Sequence, residues 1–233
     1  MRTQLFLIHF AGGNSYSFNF MAPELKKHFE LHSIELPGRG KRMGEDLIKT
    51  HDEAIADLLG QIQMRRNDQP FIIYGHSMGA LFGYHVTQEL EKNGDAPEHI
   101  ILTGNPGPDV EREEPWHTLP QKEFFANLKE LGGLPLEFFE SEELMEFFEP
   151  IIRADFELVE KSNLFSNKTP IKTSISAYMG IDEKRSDQID NWNNYTTGTC
   201  QTELLAGDHF FIHNHTELLV NSITSLNGNY KVF

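Results

Sequence analysis

A chain of 233 residues, 39% hydrophobic and 24% charged, is long enough to bury a full core and is expected to fold as a single domain. Its formal net charge of −15 argues against nucleic acid and anionic membrane surfaces as partners, because both would repel it. No apolar run reaches the ~18 residues of a membrane span, and Cys200 is the only cysteine, which excludes an intrachain disulfide and suits a reducing cytoplasm.

The N-terminal MRTQLFLIHFAGG has a short apolar stretch with no small-residue cleavage site, so Leu5 to Phe10 is expected to be a first strand rather than a leader. A second strand is expected from about Leu31 to Leu36, stopped by Pro37 and Gly38. Arg39, Lys41 and Arg42 follow that turn and are the one candidate basic patch, although a solvated turn accounts for them more simply. Thr50 and Glu53 form a capping-box signature, with Ile55, Leu58, Leu59 and Ile62 following at helical spacing. Phe71 to Tyr74 is apolar on all sides, as in a strand buried on both faces. Phe82, Val86 and Leu90 then repeat every four residues, and His99 to Thr103 is another buried strand. This alternation predicts a parallel sheet with helices on both sides, an α/β fold.

From about Pro108 to Phe165 no strand is expected. The segment instead carries helical groupings: Phe124, Phe125, Leu128 and Leu131; Leu144, Phe147 and Phe148; Ile152, Phe156 and Val159. Extra helices completing the core would explain it, and so would a lid lining an apolar substrate tunnel. Strands resume at Ile171 to Met179 and Gln201 to Leu205. A last helix carries Leu219, Ile223 and Leu226, with Asn214 as its expected N-cap and a loose tail over 227–233.

The sequence Gly75-His76-Ser77-Met78-Gly79 lies between a buried strand and a helix. In that context Gly-x-Ser-x-Gly reads as a nucleophile elbow, a turn that lifts the serine out of the sheet. Serine needs a base and an oxyanion site to act, and the elbow predicts the chain order serine, acid, histidine. Of eleven histidines only His209, His213 and His215 follow the last strand, and His209 comes first, directly after a Gly-Asp turn. By the same logic Asp182, just after a strand end, is the expected acid, with Glu183, Asp187 and Asp190 as alternatives further along. Asp208 is too close in sequence to His209 to face it easily. The oxyanion donors are expected to be the backbone N–H groups of Met78 and Ala11, the latter in the loop His9 to Gly13. His209, His213 and His215 could also ligate zinc by spacing, but no metalloprotease glutamate or cysteine partner accompanies them, so neither metal nor cofactor is expected.

The stretches FAGGNSYSF, ELPGRGKR, GHSMGALFGYHV, GGLP, IIRADFELVE, YMGIDEK (followed by Trp192) and GDHFFIHNH occur in this order over nearly the whole chain. The chain resembles the type II (external) thioesterases of nonribosomal peptide and polyketide synthesis, within the α/β-hydrolase superfamily. The resemblance implies a Ser77, Asp182, His209 triad and a helical lid insertion at about 108–165 over an acyl chamber, to which Phe125 and Phe148 would contribute. It also implies an acyl thioester substrate on the phosphopantetheine arm of a carrier domain, removed when wrong or stalled. The chain departs from the family at Asp208, where many members have a second glycine. A small carboxylesterase or lipase would use the same triad, and a non-catalytic binding module would have no need to keep it.

Overall fold

A computed structural model describes residues 2–110, 115–161 and 169–227. Parts of the predicted insertion (111–114 and 162–165) and the predicted tail beyond 227 therefore lie outside the described residues. Six strands form one sheet: β1 (Gln4–Ile8), β2 (Glu30–Ile34), β3 (Phe71–His76), β4 (His99–Thr103), β5 (Ser174–Gly180) and β6 (Cys200–Leu205). Their order is β2-β1-β3-β4-β5-β6, and every neighbouring pair is parallel.

Period-two alternation assigns the two faces. Leu5, Leu7, Ile72 and Tyr74 point to one side, where α1 (Ala22–His28) and α7 (Thr216–Ser225) supply Leu25, Leu219 and Ile223. Phe6, Ile8, Phe71 and Ile73 point to the other, against Ile55, Leu58 and Ile62 of α2 (His51–Arg65) and Phe82 and Val86 of α3 (Met78–Lys92). Each such side chain gains roughly 1.5–3 kcal/mol by leaving water. The capping box of α2 forms as expected: Thr50 Oγ1 accepts from Glu53 N–H, and the Glu53 carboxylate accepts from Thr50 N–H. The last helix is capped one residue later than expected, at His215 rather than Asn214, because a short 3₁₀ turn (Phe211–His213) occupies the start of that segment.

Between β4 and β5 lie α4 (Gln121–Leu131), α5 (Leu136–Glu140) and α6 (Glu142–Glu160). They have a core of their own, in which Phe124, Phe125, Leu128, Phe138, Ile152 and Phe156 pack together.

Several histidines are buried as neutral bases, His9, His85 and His99 among them. Burial lowers His9 to a pKa of about 4, His99 to about 4, and His85 to about 3 with help from His51. In the unfolded chain all three would titrate near 6.5, so the unfolded state takes up protons first as pH falls. Their contribution to stability is complete above pH 6.5 and is lost progressively towards pH 3–4, at a few kcal/mol each. Urea midpoints should therefore drop steeply between pH 6.5 and 4.5, before most carboxylates titrate. His99→Gln, which can still hydrogen-bond Ser176 as His99 does at 2.9 Å, should flatten that slope. A slope unchanged in the variant would show that His99 carries none of it.

Candidate active site

After β1 the chain crosses to β2 on one side and then returns to place β3 on the other side of β1. The crevice at the carboxyl ends of β1 and β3 is thus the point where the winding reverses, the usual ligand position in such sheets. The loop after β1 and Ser77 after β3 both open there. Ser77 has φ 56 and ψ −115, a conformation rare for a residue with a side chain. A Cβ on Gly75 would lie 2.0 Å from the Gly79 carbonyl oxygen, and one on Gly79 would lie 2.1 Å from that of Ile8. Both flanks of the serine must therefore be glycine, as the elbow reading required.

Ser77 Oγ lies 2.9 Å from His209 Nε2. The other ring nitrogen, Nδ1, donates to Glu183 Oε2 at 2.5 Å, while Glu183 Oε1 accepts the Gly180 N–H at 2.7 Å. The carboxylate on the histidine is therefore that of Glu183, not of Asp182. The chain turns tightly after β5, with Glu183 N–H bonded to Gly180 O, and this brings the fourth residue of the turn back beneath His209. The third, Asp182, is left exposed, its N–H bonded to Gly207 O. Distance along the chain from the strand end was a misleading guide, because a turn reverses direction. Asp190 accepts from the Thr202 hydroxyl, Asp187 is exposed, and Asp208 turns to the Phe210 N–H.

The other late histidines point elsewhere: His215 donates to Ala206 O, and His213 sits between Phe20 and Phe210. His76, before the nucleophile, packs its ring 5.0 Å from that of His209 and is held neutral by burial and by the nearby His209 and His213.

Around Ser77 is a cavity of about 50 Å³, reached by Ala11, Met78 and His209. Among the described residues, no acceptor meets the N–H of Ala11 or of Met78, whereas Gly12 N–H is bonded to Asp155 and Gly13 N–H to Phe10 O. The helical layer contributes Leu128, Leu131, Ile152 and Phe156 to the cavity wall. Phe125 and Phe148, expected to line it, do not. They face the interior of the helical layer, where Phe125 packs on Phe124 and both contact Phe138. Helical spacing identified an apolar stripe without showing which part of it faces the sheet. Asn105, which sequence reasoning passed over, also lines the cavity. Its Nδ2 donates to Ser77 O at 3.3 Å, and Trp192 Nε1 holds its carbonyl at 2.7 Å. A larger hollow of about 590 Å³, between the loop after β2 and α6, touches none of these groups.

The basic cluster after β2 is neither a solvated turn nor a free patch. Arg39 is buried against Asp155, Arg42 is paired with Glu45 and Asp57, and only Lys41 is exposed.

A parallel sheet carrying a serine elbow, then a carboxylate and a histidine on later loops, is that of an α/β-hydrolase. A family model for the thioesterase domain matches residues 3–226, and the chain belongs to this family of hydrolases. It is 30% identical to linear gramicidin dehydrogenase LgrE of Brevibacillus parabrevis, over 98% of this chain and 89% of the relative. That name denotes a redox step, whereas the family model that matches this chain is that of a thioesterase domain. Among solved structures, it is 27% identical to ClbQ from the colibactin NRPS/PKS pathway, with a TM-score of 0.89 and 97% of each chain covered. YbtT, a type II thioesterase from the yersiniabactin NRPS/PKS biosynthetic pathway, is 26% identical, with a TM-score of 0.87 over 97% of this chain and 92% of that one. Among the described residues no helix is long and apolar enough to cross a membrane.

Proposed function

We propose that this chain is a type II thioesterase of nonribosomal peptide or polyketide synthesis, and that Ser77, His209 and Glu183 hydrolyse acyl thioesters held on the phosphopantetheine arm of carrier domains. The observation that carries this reading is the hydrogen-bonded series from Ser77 Oγ to His209 at 2.9 Å and from His209 to Glu183 at 2.5 Å, beside the Ala11 and Met78 amides, which meet no acceptor among the described residues. Glu183 holds the proton on His209 Nδ1, which leaves Nε2 free to take the serine proton as Oγ attacks the thioester carbonyl. Negative charge on the carbonyl oxygen is met by the N–H groups of Ala11 and Met78, at the positive end of α3. His209 then returns the proton to the departing pantetheine thiolate, and a water repeats the sequence on the acyl-serine. The relatives from nonribosomal peptide and polyketide pathways support the carrier-bound substrate.

The helical layer of α4, α5 and α6 acts as a lid within a single hydrolase domain, and the enzyme works in the cytoplasm, as its lone cysteine suits. With the helices placed as they are, a cavity of about 50 Å³ suits an acyl group of two or three carbons, since it holds only a few water-sized groups. Acetyl, propionyl and hexanoyl groups presented on a carrier domain, on coenzyme A and as p-nitrophenyl esters test the reading. The expected kcat/KM is at least about tenfold higher on the carrier than on coenzyme A, equivalent to about 1.4 kcal/mol of carrier contact, with acetyl and propionyl ahead of hexanoyl. Oxygen esters cleaved as well as carrier thioesters would make the protein a small carboxylesterase instead.

A further inference from the structure

Three separate stretches, Phe10 to Gly13 after β1, Pro37 to Gly40 after β2 and Arg153 to Asp155 in α6, meet at one buried ion pair. Asp155 is fully buried and receives Arg39 in a two-point contact, Nη1 to Oδ2 at 2.5 Å and Nη2 to Oδ1 at 2.8 Å. Arg39 is 4% exposed, and its Nε donates to Pro37 O at 3.3 Å. Asp155 Oδ2 also accepts the Gly12 N–H at 2.7 Å. A buried ion pair often stabilises a fold no better than apolar residues of equal volume would. This one does something those residues could not, because it supplies an acceptor to the backbone of the loop beside Ser77.

That loop is held at several points. Gly12 takes φ +74, which lets its N–H face Asp155, and Gly13 N–H turns back to Phe10 O at 2.9 Å. His9 Nδ1 donates to Phe10 O at 2.8 Å, and its Nε2 accepts the Leu36 N–H at 3.3 Å. Burial and the adjacent Arg39 keep His9 neutral, so Nε2 stays an acceptor. With Gly12 and Gly13 both engaged, the Ala11 N–H beside them meets no acceptor among the described residues, and Ala11 lines the cavity.

We infer that Asp155 is a positioning residue for the oxyanion site: by holding Gly12 N–H it aims Ala11 N–H at the reacting carbonyl, and Arg39 keeps its carboxylate in place. Asp155 belongs to α6, so the oxyanion site is complete only while the helical layer is packed on the sheet. This rests on the reading of Ala11 and Met78 as the oxyanion donors.

Two variants test it, Asp155→Ala and the uncharged apolar pair Arg39→Met with Asp155→Leu. Each is assayed for kcat and KM on an acetyl thioester and for inhibition by propylboronic acid. Boron accepts a lone pair from Ser77 Oγ to form a B–O bond, the serine proton passes to His209, and no other bond breaks. The resulting tetrahedral anion places an oxygen at the oxyanion site. In Asp155→Ala, kcat should fall about 10- to 100-fold, KM should change by less than about threefold, and boronate affinity should fall in step with kcat. In the double variant no charge is left unpaired, so the melting temperature should approach that of the wild type, yet kcat and boronate affinity should stay low. A folded double variant with wild-type kcat and boronate affinity would overturn the inference and return the pair to a purely structural role. Boronate binding to the wild type that survives Ser77→Ala would instead sink the underlying reading of the site.

Discussion

Ser77→Ala should lower kcat on a carrier-bound acetyl thioester by about 10⁵- to 10⁶-fold, the loss typical when the nucleophile of a working triad is removed. The fold should persist. Alanine keeps the same backbone demand at φ 56, the Ser77 N–H still meets Thr103 O at 2.7 Å, and the only side-chain hydrogen bond lost is the one to His209. That ring remains fixed from behind by Glu183 and by packing on His76 and Phe210. Intact-mass spectra taken during turnover should show an acyl adduct on the wild-type protein and none on the variant. A variant that retained more than about one hundredth of wild-type turnover would place the nucleophile elsewhere. A wild-type enzyme that turned over with no trappable adduct, even after rapid acid quenching, would favour direct attack by water over an acyl-serine.

The elbow was legible in the sequence because its demands are local. A buried strand, two glycines and a following helix all lie within residues 71–92, and each leaves a pattern in side-chain type. The same holds for the face assignments of β1 and β3, where period two separates Leu5 and Leu7 from Phe6 and Ile8. His209 could be read as well, since chain order and the end of β6 leave few competitors. What could not be read depends on how loops fold back. Asp182 and Glu183 are adjacent and equally acidic, and only the turn closed on Gly180 decides which of them faces His209. Phe125 and Phe148 lie on an apolar stripe, but the helical layer has two apolar neighbours, itself and the sheet, and periodicity does not distinguish them. Arg39 looked like a surface charge because its partner, Asp155, is 116 residues away. The stretch Pro37 to Arg39 was visible as a turn but not as a buried one.

The assignment of the acid carries the other large effect. Glu183→Gln should reduce kcat by about 10⁴-fold, as loss of the carboxylate does in related triads. The local hydrogen bonds dictate the reason. One carboxylate oxygen of Glu183 accepts the Gly180 N–H at 2.7 Å, so the glutamine carbonyl must occupy that place, since an NH₂ there would oppose another donor. The NH₂ group then faces His209 Nδ1, which can only accept from it. The imidazole proton is driven to Nε2, the nitrogen 2.9 Å from Ser77 Oγ, where it blocks removal of the serine proton. KM should change little, because Glu183 does not line the cavity. Asp182→Asn should alter kcat by no more than about threefold, since its side chain is exposed and a surface change of this kind is usually mild. Glu183→Asp, one methylene shorter, keeps the charge but draws the carboxylate away from the ring, and should fall between the two. Measuring kcat for the three variants on one acetyl-carrier substrate decides the matter. If Asp182→Asn proved the crippling change and Glu183→Gln the mild one, the carboxylate seen on His209 would not be the one that serves it in turnover.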